Sequence, residues 1–410
     1  MRFLFVLDSV EAPAAANPRL GRRLAAALAG AGHAVTLLEL WDGQTPPPAV
    51  PGCRTEALAF ADEAAMERAL EGGAAGHSPV PLRLARLALH PQAAGAAVRQ
   101  FLLKAPRPVT DTRRAIPRLD ARTPFDAVCA VAAPYRAAFA LESARLRGKK
   151  LLWQMDPYAA NQSYRAPGGY DRERRLLAAM DHVFITDQAL PDFAPGGPLA
   201  PLAGRVSRLG FPSLVPPEGP APAVDRQSCV FCGTLYPGLR EPGALLVLFG
   251  ALGGGWTLTM AGGGWDAFAA DRARAEAALG DRLRLPGPVP PDRARALERS
   301  AGVLVSIGNT AANQLPSKLF EYVAAGKPVL HLAAGDRDAA LPYLRRWPLA
   351  LCLAPGDPQA QAAALRPWLE ANAGRQLPFA EAARLYPDFT PGAVAARFLQ
   401  ALADPAPETL

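Results

Sequence analysis

The stretch "NQLPSKLFEYVAAGKPVL" at 313–330 sets Lys318 and Glu321 three residues apart, just behind a proline. Pro316 suits the first position of a helix, where its missing N–H costs nothing, and Gly326 before Lys327-Pro328 suits the end. Leu319, Phe320 and Val323 then share an inward face, and Lys318, Glu321 and Ala325 share another. Unpaired N–H groups of a first turn attract an anion and Lys318 adds a full charge, so a diphosphate fits. Glu321, a turn deeper, can accept two hydrogen bonds from the vicinal hydroxyls of a ribose, each contributing about 1.5–3 kcal/mol. The same spacing also describes a surface ion pair worth only about 0.2–0.5 kcal/mol. Residue types alone leave both readings open.

Elsewhere the chemistry is sparser. Asp156, in "WQMDPYAAN", closes a strand and is placed either to position or deprotonate an acceptor hydroxyl, or to cap the turn before Pro157. Tyr135 and Arg136, at a helix start after "AVAAP", are acceptor-side candidates. His182 opens an apolar strand and reads as a core or edge histidine. "DRD" at 336–338 has D-x-D spacing but falls in a loop, and neither an essential metal nor a cofactor is expected. "CVFC" at 229–232 has redox or zinc spacing inside an apolar strand, where residues three apart face opposite sides. Buried thiols are expected there, and five scattered cysteines do not form a disulfide framework.

These residues need a scaffold, and the chain repeats one grammar twice. "RFLFVLDS" is a continuous apolar run, as a strand covered on both faces requires. Asn17-Pro18 reads as N-cap and first helical residue, "RLGRRLAAALAGA" as the helix, and "HAVTLLEL" as the next strand. "FDAVCAVAAP", a helix over 135–147, "KKLLWQM", a helix over 171–180 and "HVFIT" continue the alternation. Residues 198–228 are proline-rich and suit a connector. Alternation then restarts with "SCVFCGT", a helix near 240–251, "TLTMAGGG", a helix over 266–279, "RLRLPGPV", a helix over 291–299, "GVLVSIG" and "PVLHLAA". The fold class is α/β, with two doubly wound Rossmann-like domains facing across a cleft. The expected boundaries are 1–203 for an N-terminal domain, 204–385 for a C-terminal domain, and 386–410 for a crossover helix and an acidic tail.

At 410 residues and 50% hydrophobic, the chain has enough apolar content for two cores. Its longest apolar runs are strand-length, no transmembrane helix is expected, and no signal-peptide pattern follows Met1, so the expected location is cytoplasmic. The net charge of +7 suits phosphates, nucleic acid or anionic lipid. Between 82 and 122, nine Arg and Lys are opposed only by Asp111 and Asp120 and are interleaved with leucines, Val98 and Phe101. That pattern fits a helix lying on an anionic membrane, or an ordinary exposed face. It lacks the aromatics and motifs of a nucleic-acid module, and no specific nucleic acid is expected.

"NQLPSKLFEYVAAGKPVL" followed by "APGDPQAQAAAL" at 354–365 resembles the donor-site region of group 1 (family 4-like) glycosyltransferases of the GT-B fold. The resemblance extends more weakly through "FCGTLYPGLREP", "AGGG", "LPGPV" and the N-terminal strand–helix–strand. It implies that Glu321 binds the donor ribose and that Ser317 and Lys318 at the helix start meet the diphosphate. Gly233 and Thr234 correspond to a close-approach turn at the phosphates, and Arg240 to the basic residue beyond it. Arg240 and Lys318 would stabilise the leaving nucleoside diphosphate, with Asp156 the third catalytic candidate. Val289 falls where backbone meets the nucleobase, and Ser306 and Asn309 border the sugar. Asn313 stands where many members carry the first of two glutamates; an asparagine can still hydrogen-bond a sugar hydroxyl but offers no charge. "EAPAAAN" replaces a frequent Gly-Gly. The implied activity is sugar transfer from a nucleoside diphosphate to a glycan or lipid-linked hydroxyl in bacterial glycan assembly, with retention; the basic stretch 82–122 adds an expected contact with the inner membrane face as one of its two readings. A catalytically weak scaffold of the same fold and a nucleotide-sugar epimerase are the alternatives.

Overall fold

The computed structural model describes residues 1–10, 16–44, 46–71, 91–160, 166–219, 222–312, 314–316 and 318–403. The chain forms two compact units, the first running to Pro212 and taking in the last helix, Pro391–Ala403, the second spanning Ser213–Thr390.

The first unit is built on a seven-stranded parallel sheet. Its strands are β1 (Arg2–Ser9), β2 (Ala34–Trp41), β3 (Cys53–Ala59), β4 (Ala127–Ala132), β5 (Lys149–Gln154), β6 (His182–Ile185) and β7 (Val206–Arg208), in the order β3-β2-β1-β4-β5-β6-β7. β1 is buried from Phe3 onward because helices cover both faces of a parallel sheet. The final helix turns Phe398 onto this sheet, stacked on Phe184 at 4.7 Å and edge-on to Phe3 at 5.7 Å. Its buried residues Val394, Ala395, Phe398, Ala401 and Leu402 follow helical spacing. The first unit extends past residue 203 because β7 pairs with β6 inside the proline-rich stretch. The helix expected over 135–147 is confined to Arg136–Glu142.

The second unit has six parallel strands: β8 (Asp225–Cys232), β9 (Thr257–Ala261), β10 (Leu283–Gly287), β11 (Ala301–Ile307), β12 (Val329–Leu332) and β13 (Ala350–Leu353). Their order is β10-β9-β8-β11-β12-β13. In both sheets the order reverses beside the first strand, between β1 and β4 and between β8 and β11. Loops diverge beyond the carboxyl ends of such a pair, leaving a crevice where ligands bind in doubly wound folds. Cys229 and Cys232 are buried on β8, and burial raises both thiols, that of Cys232 to about 12. These are packing residues.

Candidate functional site

Beyond β8 the chain turns through Gly233 and Thr234, and beyond β11 through Gly308 and Asn309, so the second unit's reversal brings these loops together. The Gly233 N–H donates to Ala261 O at 2.9 Å, and Gly262, at φ 146°, lies so close that a Cβ there would sit 1.8 Å from Gly233 O. Arg240 spans the crevice. Its Nε and Nη2 donate to Asn309 Oδ1 at 3.1 and 2.9 Å, and its Nη1 to Thr234 O at 3.3 Å. Asn309 is itself pinned, its Nδ2 donating to Gln314 O at 3.1 Å.

The hydrogen-bond acceptors of the Arg240 guanidinium, Asn309 Oδ1 and Thr234 O, are neutral, and burial pulls its pKa below the usual arginine range against the opposing pull of Tyr236, Tyr322 and Asp338. A cation taken largely from water with no carboxylate hydrogen-bonded to it is costly unless an anion completes it. The electrostatics of this loop cluster therefore favour a negatively charged ligand.

Lys318 has its ion-pair partner on another helix. Its Nζ pairs with Glu298 of the helix Pro291–Ser300, twenty residues earlier. The helix beginning at Lys318 ends at Ala324, so Pro316 precedes it rather than opening it. Phe320 fixes this helix, stacking on Phe389 at 3.7 Å and meeting Tyr343 edge-on at 5.4 Å. Tyr322 and Ala324 are buried along with Leu319, Phe320 and Val323, which leaves Lys318, Glu321 and Ala325 half-buried. Val289 is half-buried between β10 and the helix Pro291–Ser300. Asn313 and Ser317 lie outside the described residues.

Ser306 ends in a relay that local sequence did not show. Asp338 Oδ2 accepts from His331 Nε2 at 3.1 Å and from Ala334 N at 3.0 Å, while Oδ1 accepts from Ala340 N at 2.9 Å. These donors outweigh burial and hold the Asp338 acid below its ordinary value. With Asp338 ionised, Nε2 of His331 is the donor to it, and Nδ1 lies 3.0 Å from Ser306 Oγ. Asp336 is exposed whereas Asp338 is buried beside His331, so the two carboxylates of "DRD" do not converge. Among the described residues no group of three His, Cys, Asp or Glu could hold a metal.

In the first unit, Asp156 follows β5. Its Oδ2 accepts from Asn17 Nδ2 at 3.0 Å, and the same amide donates to Ala133 O at 3.0 Å. Asn17 therefore does not cap the helix Ala16–Gly30 but sits in its first turn with its amide turned to these acceptors. Burial raises the Asp156 pKa, against the opposing pull of Asn17. The Tyr135 hydroxyl donates to Asp156 O at 2.6 Å and receives Gln154 Nε2 at 2.7 Å. Arg136 grips Asp8 through two hydrogen bonds of 2.7 and 3.0 Å. Both acceptor-side candidates are thus bonded within their own unit. His182 is buried with its ring edge-on to Phe184.

Glu173, absent from the sequence candidates, holds the loop that carries Asp156. Its carboxylate accepts from Gln154 Nε2 at 2.5 Å and from the N–H groups of Tyr158 and Ala159, both at 2.9 Å. Glu173→Ala is expected to destabilise the protein by about 3 kcal/mol, since it removes the carboxylate acceptor of three hydrogen bonds, two of them buried. Denaturant unfolding measures this, and a loss under about 1 kcal/mol would mean that the loop closes without it.

No family model matches the chain, and no curated protein matches it. Solved structures do. Sucrose-phosphate synthase from Thermosynechococcus elongatus is 17% identical, with 98% of each chain covered and a TM-score of 0.61. HepE from Anabaena, solved with UDP and glucose, is 14% identical over 98% of this chain and 100% of its own, also at 0.61. UDP-GlcNAc 2-epimerase from Methanocaldococcus jannaschii is 8% identical over 98% and 99%, at 0.53. Together with the two parallel sheets, this likeness shows the GT-B fold.

Proposed function

We propose that the protein is a glycosyltransferase that binds a nucleoside diphosphate sugar on its second unit and passes the sugar to a hydroxyl acceptor. Arg240 supports this: it is a half-buried cation held by neutral acceptors at the reversal between β8 and β11. A diphosphate is the anion that suits it. When the anomeric C–O bond breaks, its electron pair moves to the β-phosphate oxygen, and positive charge placed there lowers the barrier. Lys318 adds to that field, with Glu298 fixing its position. Glu321 takes the ribose hydroxyls. Gly233, Thr234 and Ser317 meet the diphosphate, Val289 the base, and Ser306, Asn309 and Asn313 the sugar.

Asp156, its pKa raised by burial, is the candidate to receive the acceptor's proton as the new bond forms. In this reading the anomeric configuration is retained, no metal or resident cofactor is needed, and the acceptor is a bacterial glycan or glycolipid. Contact with an anionic membrane through residues 82–122 belongs to the same reading, residues 82–90 lying outside those described.

An epimerase also shares the fold, but that chemistry needs acids and bases facing the sugar. His331 is fully buried between Ser306 and Asp338, and His182 is buried in a strand of the first unit. The transferase reading is favoured.

A thermal-shift panel of UDP, GDP, ADP, CMP and dTDP tests the donor site, with UDP expected first because HepE was solved with UDP and with UDP-glucose. At a hundred times its Kd a ligand adds about 2.7 kcal/mol, or roughly 5–10 °C for a domain of this size. Glu321→Ala is expected to abolish most of that shift without lowering the unliganded Tm by more than about 2 °C. No shift with any nucleotide would sink the donor-site reading, and binding without transfer to any acceptor would leave a scaffold.

A further inference from the structure

Among the described residues, four of the seven exposed large hydrophobic side chains lie together, the others being Met1, Tyr236 and Val247. Val98 is 46% exposed, Phe101 57%, Leu102 75% and Leu103 65%, all within six residues. Isolated exposed leucines need no explanation, whereas a contiguous exposed cluster marks an interaction surface. Val98–Leu102 forms a π-helical turn after the helix Pro91–Ala97, and the chain leaves it through Lys104 at φ 50°. Lys104 is the described non-glycine residue with a positive φ. A left-handed lysine is disfavoured relative to glycine, and such outliers concentrate where a side chain is needed.

The surrounding charges fall into two groups. Arg99 and Arg107 are matched internally: both pair with Asp62, and Arg99 also lies 3.5 Å from Glu63. These contacts tie the exposed turn to the helix Ala61–Glu71. Lys104, Arg113, Arg118 and Arg122, by contrast, have no carboxylate partner among the described residues. In the helix Arg107–Arg122, Pro108, Thr112, Ile116 and Asp120 are buried at four-residue spacing. Arg114, Arg118 and Arg122 repeat that spacing two positions on, which puts them on the opposite, exposed side.

We propose that residues 98–104 are a membrane wedge: Phe101, Leu102 and Leu103 enter the headgroup–acyl boundary of an anionic bilayer, and Lys104, Arg113, Arg118 and Arg122 meet its phosphates. The pairing of an apolar tip with unmatched bases selects this occupant. A protein partner would need carboxylates to answer the bases, whereas an anionic lipid surface supplies apolar depth and negative charge together. The wedge deepens the membrane part of the proposed function and is independent of the donor site. A transferase so docked would meet lipid-linked acceptors at the surface where they lie.

Cosedimentation of the full chain tests it. One set of vesicles is phosphatidylcholine alone, and the other contains about a third phosphatidylglycerol. Wild type is expected to partition at least about tenfold more strongly onto the anionic set, falling with added salt. The triple variant Phe101→Ser, Leu102→Ser, Leu103→Ser is expected to lose at least about tenfold of this binding. Arg118→Glu with Arg122→Glu is expected to abolish the preference for anionic lipid. Lys104→Gly is expected to weaken binding while raising the Tm.

Equal binding to both vesicle types, no binding, or an unchanged triple variant would overturn the proposal. So would a wild-type dimer that the triple variant dissociates, which would make a second copy the occupant. A marked fall in the variant's Tm without vesicle binding would mean that another part of the chain covers the patch. UDP stabilisation measured on the same triple variant separates failure of the wedge from failure of the donor site.

Discussion

Arg240→Ala is expected to lower kcat/KM about 10²–10³-fold while leaving the Tm of the unliganded protein within about 2 °C of wild type. The two halves of this result have one cause. Deleting a half-buried cation whose acceptors are the neutral Asn309 Oδ1 and Thr234 O removes a desolvated charge and breaks no ion pair, which offsets the acceptors left unpaired. What disappears is stabilisation of charge that develops only as the leaving diphosphate departs. A structural arginine would behave in the reverse way, losing stability first. Arg240→Lys separates charge from geometry, because an ammonium cannot span Asn309 and Thr234 as the planar fork does. It is expected to retain UDP binding and to lose about tenfold in kcat. Steady-state kinetics beside melting curves decide the matter, and a kcat/KM for Arg240→Ala within about threefold of wild type would remove Arg240 from the mechanism.

The legible parts of this fold are those whose cause is local. β1 announces itself because a fully covered strand must be apolar throughout, and the helix Pro391–Ala403 because its apolar residues recur every three or four positions. β3 is an edge strand whose residues are all half-buried or exposed, and β7 is three residues long among prolines. Neither carries an apolar run to read. At the site, "SKLFEYVAAGK" points to the right helix, but the partner of Lys318 comes from Glu298 on another helix. Spacing along one helix cannot show that. Asn17 likewise has the composition of an N-cap, yet its amide answers Ala133 and Asp156, 116 and 139 residues away. The Ser306–His331–Asp338 relay was within reach once the strands were ordered. In parallel register Ser306 lies opposite His331, so an expected β11–β12 neighbourhood would have paired them.

Gly262→Ala is expected to destabilise the second unit by about 3 kcal/mol or more and to abolish UDP binding under conditions where the protein is still folded. Gly262 has φ 146°, a conformation that a side chain strains, and its added Cβ would lie 1.8 Å from Gly233 O and 2.7 Å from Gly233 C. Backbone cannot swing aside as the end of a side chain can. The loop beyond β8 must retreat by more than 1 Å to reach ordinary contact, or β9 must part from β8 at its carboxyl end. Either movement displaces Gly233 and Thr234, and the Thr234 carbonyl is the acceptor for Arg240 Nη1. The substitution therefore links a steric fault to a chemical one. Gly254→Ala is the control: its φ of 69° is also left-handed, but the nearest atom to an added Cβ is an arginine Nη1 at 3.8 Å. It should cost only about 1–2 kcal/mol of backbone strain and leave nucleotide binding intact. If Gly262→Ala bound UDP as wild type does, the tight approach of Gly262 to Gly233 would be irrelevant to the ligand, and the site would have to be sought away from the reversal between β8 and β11.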